Sequence, residues 1–350
     1  MTMMRAITLC LAFFGCLIGI SAVNAAGKPL IGLTVNIPQG GDATDIYAAV
    51  MTARTSGVRL ICASAKWSEL EPKPGVYNFK SIDDSLNGLP TLGFRIAYTI
   101  KTLDTNTKAF PADLQDKPFD SPEVRHRFDA LIDHLAPKLT DAVINVNLGN
   151  EADGYLSTHR DELEGYAGFV EEGRAHLHAI KPDIPVGVTT MFNGLKDNSG
   201  IIQRLNRVMD VVTMTYYPLT VDFYVRPVTD VPADFDAMVA AAGSKPLLLQ
   251  EVGYPADPSL GSSEEKQAAF VDAVFDALEK HKDKIGFINF FLMYDFDDKL
   301  LDTLTAYYGL TDPRFRAYLA TLGLRKADGT PRQAWLRFEM RAVAWANSKP

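Results

Sequence analysis

The stretch Pro246-Leu-Leu-Leu-Gln-Glu251-Val-Gly-Tyr-Pro255 runs from uninterrupted apolar residues into a carboxylate. A run of this kind is typical of a strand buried on both faces, as in a parallel sheet. Gly253 and Pro255 then end the strand. Its carboxyl end therefore presents Glu251, and α/β folds build their sites at that end of their strands.

A second stretch of the same design lies 100 residues upstream. Ala142-Val-Ile-Asn-Val-Asn-Leu-Gly-Asn-Glu151 also leads from apolar residues to a carboxylate. A single glutamate at a strand end more often belongs to a surface loop, because charged side chains favour solvent. Two buried strands that each end in a glutamate predict instead a carboxylate pair, Glu151 and Glu251.

Strand-like and helix-like segments alternate along the chain. The strand-like segments are eight in number: Leu30–Asn36, Gly57–Ala63, Phe94–Ile100, Ala142–Glu151, Pro185–Phe192, Val211–Pro218, Pro246–Glu251 and Ile285–Tyr294. This alternation predicts an α/β fold with a parallel sheet, and eight units suit a closed (β/α)8 TIM barrel. An open doubly wound sheet is the alternative, but no strand is followed by the Gly-x-Gly-x-x-Gly turn of dinucleotide-binding sheets.

Composition supports one soluble globular domain. The chain has 350 residues, of which 47% are hydrophobic and 22% charged, and no composition break divides it. The net charge of −8 argues against a phosphate-backbone partner, since such partners need a basic surface. Nucleic acid is therefore excluded as a predicted partner.

Residues 1–26 predict a signal peptide. A positive charge precedes the apolar stretch Ala6–Ile20, and small residues then make cleavage after Ala25 or Ala26 reasonable. The apolar stretch is too short for an ordinary membrane span. We expect a secreted or periplasmic protein without membrane contact once the signal is removed, whose mature part, residues 27–350, is the barrel.

The cysteines agree with this division of the chain. Cys10 and Cys16 lie in the leader, so Cys62 is the single cysteine of the mature part and no intramolecular disulfide is expected. Cys62 stands in an apolar run and is predicted to be a small core residue. Phe13-Phe-Gly-Cys16 resembles a lipoprotein cleavage box but lacks the usual leucine at −3, so anchoring through Cys16 is the less favoured alternative.

The sequence predicts no metal site and no cofactor. The six histidines match no zinc-ligand spacing. Asp295-Phe-Asp-Asp298 lacks the glycine and the terminal glutamate of a twelve-residue calcium loop. No Gly-x-Ser-x-Gly is present for a serine nucleophile. The chemistry is therefore predicted to rest on carboxylates.

In a closed parallel barrel, the residues at the carboxyl ends of different strands converge on one face. Acidic, amide and aromatic side chains are predicted to meet there: Lys66, Trp67, Asn150, Glu151, Tyr216, Tyr217, Glu251, Tyr254, Tyr294 and Asp295. Aromatic rings cover the apolar C–H faces of sugars, while amides and carboxylates bind their hydroxyls. This mixture predicts a carbohydrate substrate, a poly- or oligosaccharide.

The motifs at these strand ends resemble those of clan A of the glycoside hydrolases, which are retaining (β/α)8 barrels; no individual family is assigned. The resemblance rests on Asn150-Glu151, Gln250-Glu251, Tyr216-Tyr-Pro218, Trp67-Ser-Glu-Leu-Glu-Pro-Lys-Pro-Gly-Val-Tyr-Asn-Phe79 and Gly323-Leu-Arg-Lys-Ala-Asp-Gly-Thr-Pro-Arg-Gln-Ala-Trp335. These motifs span most of the mature chain, and their order along it makes the resemblance fairly specific.

The resemblance implies a role for individual residues. Glu151 would be the general acid/base and Glu251 the nucleophile, in a pair about 5–5.5 Å apart as retention requires. Asn150 would bind the 2-hydroxyl of the sugar, and Tyr216 would orient Glu251. The remaining predicted substrate contacts are Trp67, Tyr217, Tyr254, Tyr294 and Asp295.

The chain also departs from the clan. Cys62 occupies the place of a common arginine on the second strand, and Phe290-Phe-Leu-Met-Tyr294 carries no tryptophan at the end of the eighth. A barrel of the same descent that binds glycans without hydrolysing them is therefore the second hypothesis, and an unrelated metal-dependent barrel hydrolase the third. The motifs do not distinguish between sugars, linkages, or internal and terminal cleavage. A monomer is expected.

Overall fold

A computed structural model describes residues 27–349. The predicted signal peptide, with Cys10 and Cys16, lies outside the described residues, so its cleavage and the secreted or periplasmic location remain predictions. Within residues 27–349, no helix is long and apolar enough to cross a membrane.

The core of the fold is a parallel sheet of eight strands. They span Leu30–Leu33, Leu60–Lys66, Arg95–Lys101, Val143–Asn147, Val186–Met191, Val212–Tyr216, Leu247–Val252 and Ile285–Phe290. The fifth strand is interrupted at Val188, and its two halves pair with different neighbours, the first with the fourth strand and the second with the sixth. Because these halves are the two ends of the hydrogen-bonded order, the sheet closes on itself. The predicted (β/α)8 barrel is confirmed.

Helices surround the sheet. The α-helices span Ala43–Thr55, Trp67–Leu70, Lys80–Thr91, Pro122–Leu135, Ala152–Thr158, Leu163–Ile180, Gly194–Asp197, Ser199–Val208, Val231–Ala242, Glu264–Lys280, Asp298–Tyr308, Pro313–Ala320 and Gln333–Asn347. The helix Glu264–Lys280 shows why they form: the Ser263 hydroxyl accepts from the Lys266 amide at 3.2 Å, and apolar residues at three-to-four spacing bury one face.

The barrel interior changes character along its axis. Near the amino ends of the strands, Leu60, Ala97, Val211, Leu248 and Phe287 form an apolar cluster. Two residues further along four of these strands, on the same face, the buried side chains become polar: Thr99, Thr213, Gln250 and Asn289. Polar groups at this depth must be hydrogen-bonded to one another, which makes this layer a rigid floor for whatever lies above it.

Two helices follow the eighth strand, Asp298–Tyr308 and Pro313–Ala320. Their apolar side chains, with Leu219 and Leu260, form a cluster separate from the main core. This cluster lies beside the carboxyl ends of the strands and encloses one side of the cavity described next.

Candidate active site

One cavity of about 430 Å³ opens at the carboxyl ends of the strands. Glu151 from the end of the fourth strand and Glu251 from the seventh both line it. The carboxylates are close enough that the charge of Glu151 acts on the ionisation of Glu251. The structure thus brings the two predicted glutamates together in one site.

The backbone of Glu151 adopts an unusual conformation where the residue lines the cavity. Its φ and ψ are 47° and 41°, the left-handed region that non-glycine residues rarely adopt. Such strain costs about 1–3 kcal/mol and persists only where the surroundings hold it. Here the Asn150 amide donates to the carbonyl of Leu103 at 2.9 Å, and the Thr105 amide donates to the carbonyl of Asn150 at 3.0 Å. These two bonds tie the turn to the hairpin loop after the third strand.

The carboxylate of Glu151 is held by two threonines. The Thr105 hydroxyl donates to Oε2 and the Thr215 hydroxyl to Oε1, each at 2.7 Å. Thr215 belongs to the sixth strand, so Glu151 is fixed from both sides of the fourth. A threonine hydroxyl can also accept a hydrogen bond, so this setting suits both the ionised and the protonated form of Glu151.

Glu251 is oriented by Tyr217. The phenol donates to Oε2 at 2.7 Å. The pairing of the sixth and seventh strands shifts register between Leu249 and Glu251, as at a β-bulge, and such irregularities re-aim side chains. Glu251 therefore points toward the tyrosine at the end of the neighbouring strand.

The predicted contact between Tyr216 and Glu251 is not made. Tyr216 is completely buried, and its hydroxyl donates to Asp234 Oδ2 at 2.9 Å, behind the sheet. Successive side chains of a strand point to opposite faces, so only one of two adjacent tyrosines can reach the cavity. Tyr217 is that residue.

The two carboxylates share an environment that favours a proton. Burial raises the pKa of Glu151. Burial and the charge of Glu151 raise the pKa of Glu251 to about 7, against the opposing effects of Tyr217 and Lys101. Two like charges in one buried site resist simultaneous ionisation. The pair therefore retains one proton at mildly acidic pH, and its two dissociation steps belong to the pair rather than to either residue.

Gln250 fixes the orientation of the Asn150 side chain. The Oε1 atom of Gln250 accepts from Thr99, Asn147 and Thr189 at 2.8–2.9 Å. The NH2 group of Gln250 donates to Asn150 Oδ1 at 2.8 Å. The Asn150 amide group in turn donates to Asp104 at 3.1 Å. Asn150 thus presents its amide group to the cavity in one fixed orientation.

Lys101 is the cation of the site. It lies at the end of the third strand, lines the cavity, and pairs with buried Asp104 at 3.0 Å. Its charge lowers the pKa of both glutamates. Cys62, in the place of the clan's arginine, lies near enough to Glu251 that the negative charge, with burial, raises the pKa of the thiol. The positive charge at this site therefore comes from the third strand instead of the second.

Trp67 and Tyr254 lie outside the cavity. Trp67 is 0% exposed, donates to Glu71 at 2.9 Å and packs against Phe110, Phe128 and Phe169. Tyr254 is 2% exposed and donates to the carbonyl of Arg226 at 2.9 Å. Neither ring face is free to receive a sugar, so the predicted substrate contacts of these two residues are not supported by the geometry.

Tyr294 and Asp295, just after the eighth strand, contact the segment 323–335 that precedes the last helix. The Tyr294 ring lies 5.3 Å from the Arg325 guanidinium, and its amide donates to Asn36 at 2.9 Å. Asp295 forms a buried ion pair with Arg332 at 2.7 Å and accepts from the Gly323 amide. Both side chains therefore pack against the segment 323–335, and neither lines the cavity.

Several cavity residues were not predicted from the sequence: Lys101, Thr105, Thr215, Tyr308 and Tyr318. The rule that strand ends build the site would have found Lys101 and Thr215 if it had been applied to every strand. Tyr308 and Tyr318 stand on the two helices after the eighth strand, where no periodic strand signal points to the cavity. Burial and the nearby glutamates raise the pKa of both phenols, which keeps them as hydrogen-bond donors.

No group of three or more His, Cys, Asp or Glu side chains that could hold a metal ion occurs within residues 27–349. The arrangement that the cavity offers is a pair of carboxylates, one lysine, one oriented amide and several phenols. Its polar groups come from the ends of strands three, four, six and seven and from the two helices after strand eight.

No protein-family model and no curated protein matches the chain. Solved structures do. The exo-β-1,4-mannosidase Op5Man5 from Opitutaceae bacterium strain TAV5 is 17% identical with a TM-score of 0.72, over 91% of this chain and 60% of the mannosidase. GH5_18 from Streptomyces cattleya, solved with GlcNAc, is 15% identical with a TM-score of 0.73, over 92% of this chain and 82% of that one. A family 39 glycoside hydrolase from the gut symbiont Bacteroides cellulosilyticus WH2 is 16% identical with a TM-score of 0.62, over 91% and 64%.

This chain has the fold of these glycoside hydrolases. The barrel implied by the resemblance to clan A is confirmed by structures that agree over more than nine tenths of the chain. At these identities the likeness concerns the fold, and the chain spans only 60% of the mannosidase.

Proposed function

We propose that the protein is a glycoside hydrolase that cleaves β-glycosidic bonds with retention of configuration. The observation that carries the proposal is the pair of partly buried glutamates in one cavity, Glu151 held by the hydroxyls of Thr105 and Thr215 and Glu251 by the phenol of Tyr217. Retaining glycosidases use two carboxyl groups, one as nucleophile and one as general acid/base. The glycoside hydrolase structures of the same fold support this proposal.

In the first step Glu251 attacks the anomeric carbon while Glu151 gives its proton to the leaving oxygen. The glycosidic C–O bond breaks, an ester forms between the sugar and Glu251, and Glu151 becomes a carboxylate. In the second step that carboxylate takes a proton from water as the water attacks the same carbon. The ester bond breaks, Glu251 returns as a carboxylate, and Glu151 holds its proton again.

The hydrogen bonds around the pair support this division of roles. Tyr217 donates to Glu251 and lowers its pKa, which favours the carboxylate that must attack. The two threonine hydroxyls on Glu151 accommodate a residue that alternates between acid and base. The single shared proton resides on Glu151 in this scheme, because only Glu251 has a phenol as its donor.

Asn150 supplies the contact to the sugar. Its amide group is fixed by Gln250 and Asp104 and faces the cavity next to Glu151. A hydrogen bond from this group to the 2-hydroxyl would strengthen as positive charge develops at the anomeric centre. The scheme accounts for every proton and bond with two carboxyl groups and water, so it requires no cofactor.

Alanine variants of the two glutamates test the roles separately. Glu151→Ala should lower kcat/KM about 10²–10⁴-fold on alkyl glycosides but far less on 4-nitrophenyl glycosides, whose leaving group needs no proton. Glu251→Ala should lose activity on both substrates to a similar extent. Steady-state kinetics on the two substrate types, over a panel of β-glycosides, gives the comparison.

The stereochemistry tests retention. Azide should restore turnover in both variants, giving the β-glycosyl azide with Glu151→Ala and the α-anomer with Glu251→Ala, because each small anion enters the space left by one carboxylate. If the first sugar product released by the wild-type protein has the inverted configuration, the retaining scheme is wrong. If the wild type binds oligosaccharides but cleaves no member of the panel, the protein is a glycan-binding barrel instead.

A further inference from the structure

The cavity has two chemically different sides. Lys101, Thr105, Asn150 and Thr215 contribute polar groups from the strand ends around the glutamates. The loop after the sixth strand, the loop after the eighth strand and the two helices that follow it contribute apolar groups instead: Leu219, Phe223, Phe296, Leu304, Phe315 and Leu319. We call these six residues the apolar wall.

None of the six residues of the apolar wall carries a polar atom in its side chain. The Thr220 hydroxyl accepts from the Tyr224 amide at 3.2 Å. The Tyr318 ring packs edge-on against Tyr217 with the ring centroids 5.5 Å apart, and the Tyr217 hydroxyl donates to Glu251. A sugar ring placed against the wall would lose water from its hydroxyls without gaining partners, at a cost of about 1–3 kcal/mol for each unpaired group.

Phe223 is held in the wall at the expense of backbone strain. Its φ is 64°, in the left-handed region, where a bulky side chain is a genuine outlier. The ring packs 5.3 Å from Phe315 and 6.1 Å from Tyr318, and the side chain is only half-buried. The loop therefore adopts a strained conformation that turns an aromatic ring toward the cavity.

Apolar surface continues to the mouth of the cavity. Val221, next to the strained position, is 87% exposed and lines the cavity, and Leu310 across the opening is 38% exposed. Exposed aliphatic groups at a cavity mouth cost solvation free energy in the free protein. Together with the apolar wall, Val221 and Leu310 provide apolar surface between the glutamates and solvent.

We propose that this side of the cavity binds an apolar aglycone, so that the substrate is an alkyl or aryl β-glycoside rather than a chain made only of sugars. The inference rests on the proposed function, since it places the leaving group of the same reaction. The wall binds the apolar group, the polar side binds the sugar, and the scissile bond lies between Glu151 and Glu251. The alcohol released would be of the same apolar class.

An alkyl series of one sugar measures the wall without changing the chemistry. Methyl, butyl and octyl β-glucosides and β-mannosides have leaving alcohols of nearly equal acidity. At concentrations below micelle formation, kcat/KM should rise about fourfold for each methylene that enters the wall. The rise from methyl to octyl should be at least about tenfold and should flatten once the chain reaches solvent.

Binding without turnover gives a second readout. Glu251→Gln should bind the octyl glycoside more tightly than the methyl glycoside in calorimetry, with a more negative heat-capacity change. Burial of apolar surface produces that sign. Equal heat-capacity changes for the two ligands would contradict an apolar subsite even if both ligands bind.

Phe223→Asn tests the wall directly. Asparagine tolerates the left-handed backbone, so the variant removes the ring without adding strain. The octyl-to-methyl ratio of kcat/KM should fall about tenfold or more, since most of a buried ring contact is lost. Tyr224→Asn is the matched control: this neighbouring ring is 44% exposed and does not line the cavity, so the ratio should stay unchanged.

Val221→Asp changes the mouth of the cavity without disturbing core packing, because the Val221 side chain is almost fully exposed. A carboxylate at the mouth should lower kcat/KM for octyl but not for methyl glycosides. If methyl glycosides or oligosaccharides are cleaved while chain length has no effect, the apolar aglycone is wrong and the proposed function stands. If no glycoside of any kind is cleaved, the proposed function itself fails.

Discussion

The adjacent tyrosines of the sixth strand have opposite environments. Tyr216 lies behind the sheet with its hydroxyl on Asp234, which also binds Arg226. Tyr217 lies in the cavity with its hydroxyl on Glu251. Because adjacent side chains of a strand point to opposite faces, Tyr216 has a structural role while Tyr217 contacts the proposed nucleophile.

Tyr217→Phe should alter the pH profile of the reaction. The phenol lowers the pKa of Glu251, so its removal raises that pKa. The ascending limb of kcat/KM, which requires the ionised nucleophile, should move to higher pH. Below the optimum kcat/KM should fall about tenfold or more, since a hydrogen bond to a charged group contributes about 1.5–3 kcal/mol. Activity should recover in part as the pH rises.

Tyr216→Phe is the control for this change. It removes one hydroxyl donor to buried Asp234, so the free energy of unfolding should fall by about 1–3 kcal/mol. The pH profile of kcat/KM should not move, because Tyr216 has no contact with either glutamate. A shift of the profile with Tyr216→Phe, and none with Tyr217→Phe, would contradict the assignment.

Among the elements, the short helix Trp67–Leu70 after the second strand illustrates how a strand-end residue can be structural. Trp67 packs inside the neighbouring helices and donates to Glu71. The Glu71 carboxylate also accepts from Arg127 at 2.7 Å and from the Gly75 amide at 2.8 Å. This completely buried carboxylate fixes the loop against the helix Pro122–Leu135.

Trp67→Phe should therefore affect stability and not substrate binding. The variant deprives Glu71 of one donor and leaves part of the ring volume empty, which should lower the free energy of unfolding by about 1–3 kcal/mol. Urea unfolding measures that loss, and KM measured on the same preparations should be unchanged. A raised KM with unchanged stability would show that the ring contacts the sugar after all.

The helices Asp298–Tyr308 and Pro313–Ala320 have the opposite role. They supply the phenols of Tyr308 and Tyr318 to the polar part of the cavity. They also supply Leu304, Phe315 and Leu319 to the apolar wall. Extra elements after the strands of a barrel commonly set substrate choice while the strand ends hold the chemistry. The proposed aglycone site is thus formed in part by elements whose side chains pack as a separate cluster.

For the whole molecule, buried carboxyl groups dominate the response to pH. Burial raises the pKa of Asp153 to about 7, and the Glu151–Glu251 pair holds one shared proton into the same range because burial and the charge of Glu151 raise the pKa of Glu251 to about 7. Unfolded carboxyl groups titrate near 4. Between about pH 4 and 7 the native state therefore binds more protons, and stability falls as the pH rises. His178, whose pKa is raised by Asp210, contributes in the same direction because its stabilisation is lost at high pH.

The free energy of unfolding should accordingly be larger near pH 5 than near pH 8, with a slope of up to about 1.4 kcal/mol per pH unit for each such group. Asp153→Asn keeps an acceptor for the Met191 amide but cannot titrate. It should reduce the difference between the two pH values by about 2–4 kcal/mol. Exposed Asp141→Asn is the control and should leave the difference unchanged. A variant slope equal to that of wild type would contradict this account.

Much of the architecture could be predicted because it depends on local pattern. All eight predicted strands occur in the barrel, since apolar runs bounded by turn residues mark buried parallel strands wherever they lie. The placement of Glu151 and Glu251 at the ends of the fourth and seventh strands followed from the same pattern. The helix Asp298–Tyr308 was missed because it follows the last strand, where the alternation of strands and helices no longer requires an element.

The sequence alone determined that this protein is a parallel barrel with two glutamates at its carboxyl face. Only the tertiary structure decided which neighbours serve them: Tyr217 instead of Tyr216, Lys101 in place of an arginine, and Trp67 in the core. The reason is physical. Strand formation depends on residues close in the chain, whereas the direction of a strand-end side chain depends on strand phase, bulges and packing partners that are distant in sequence.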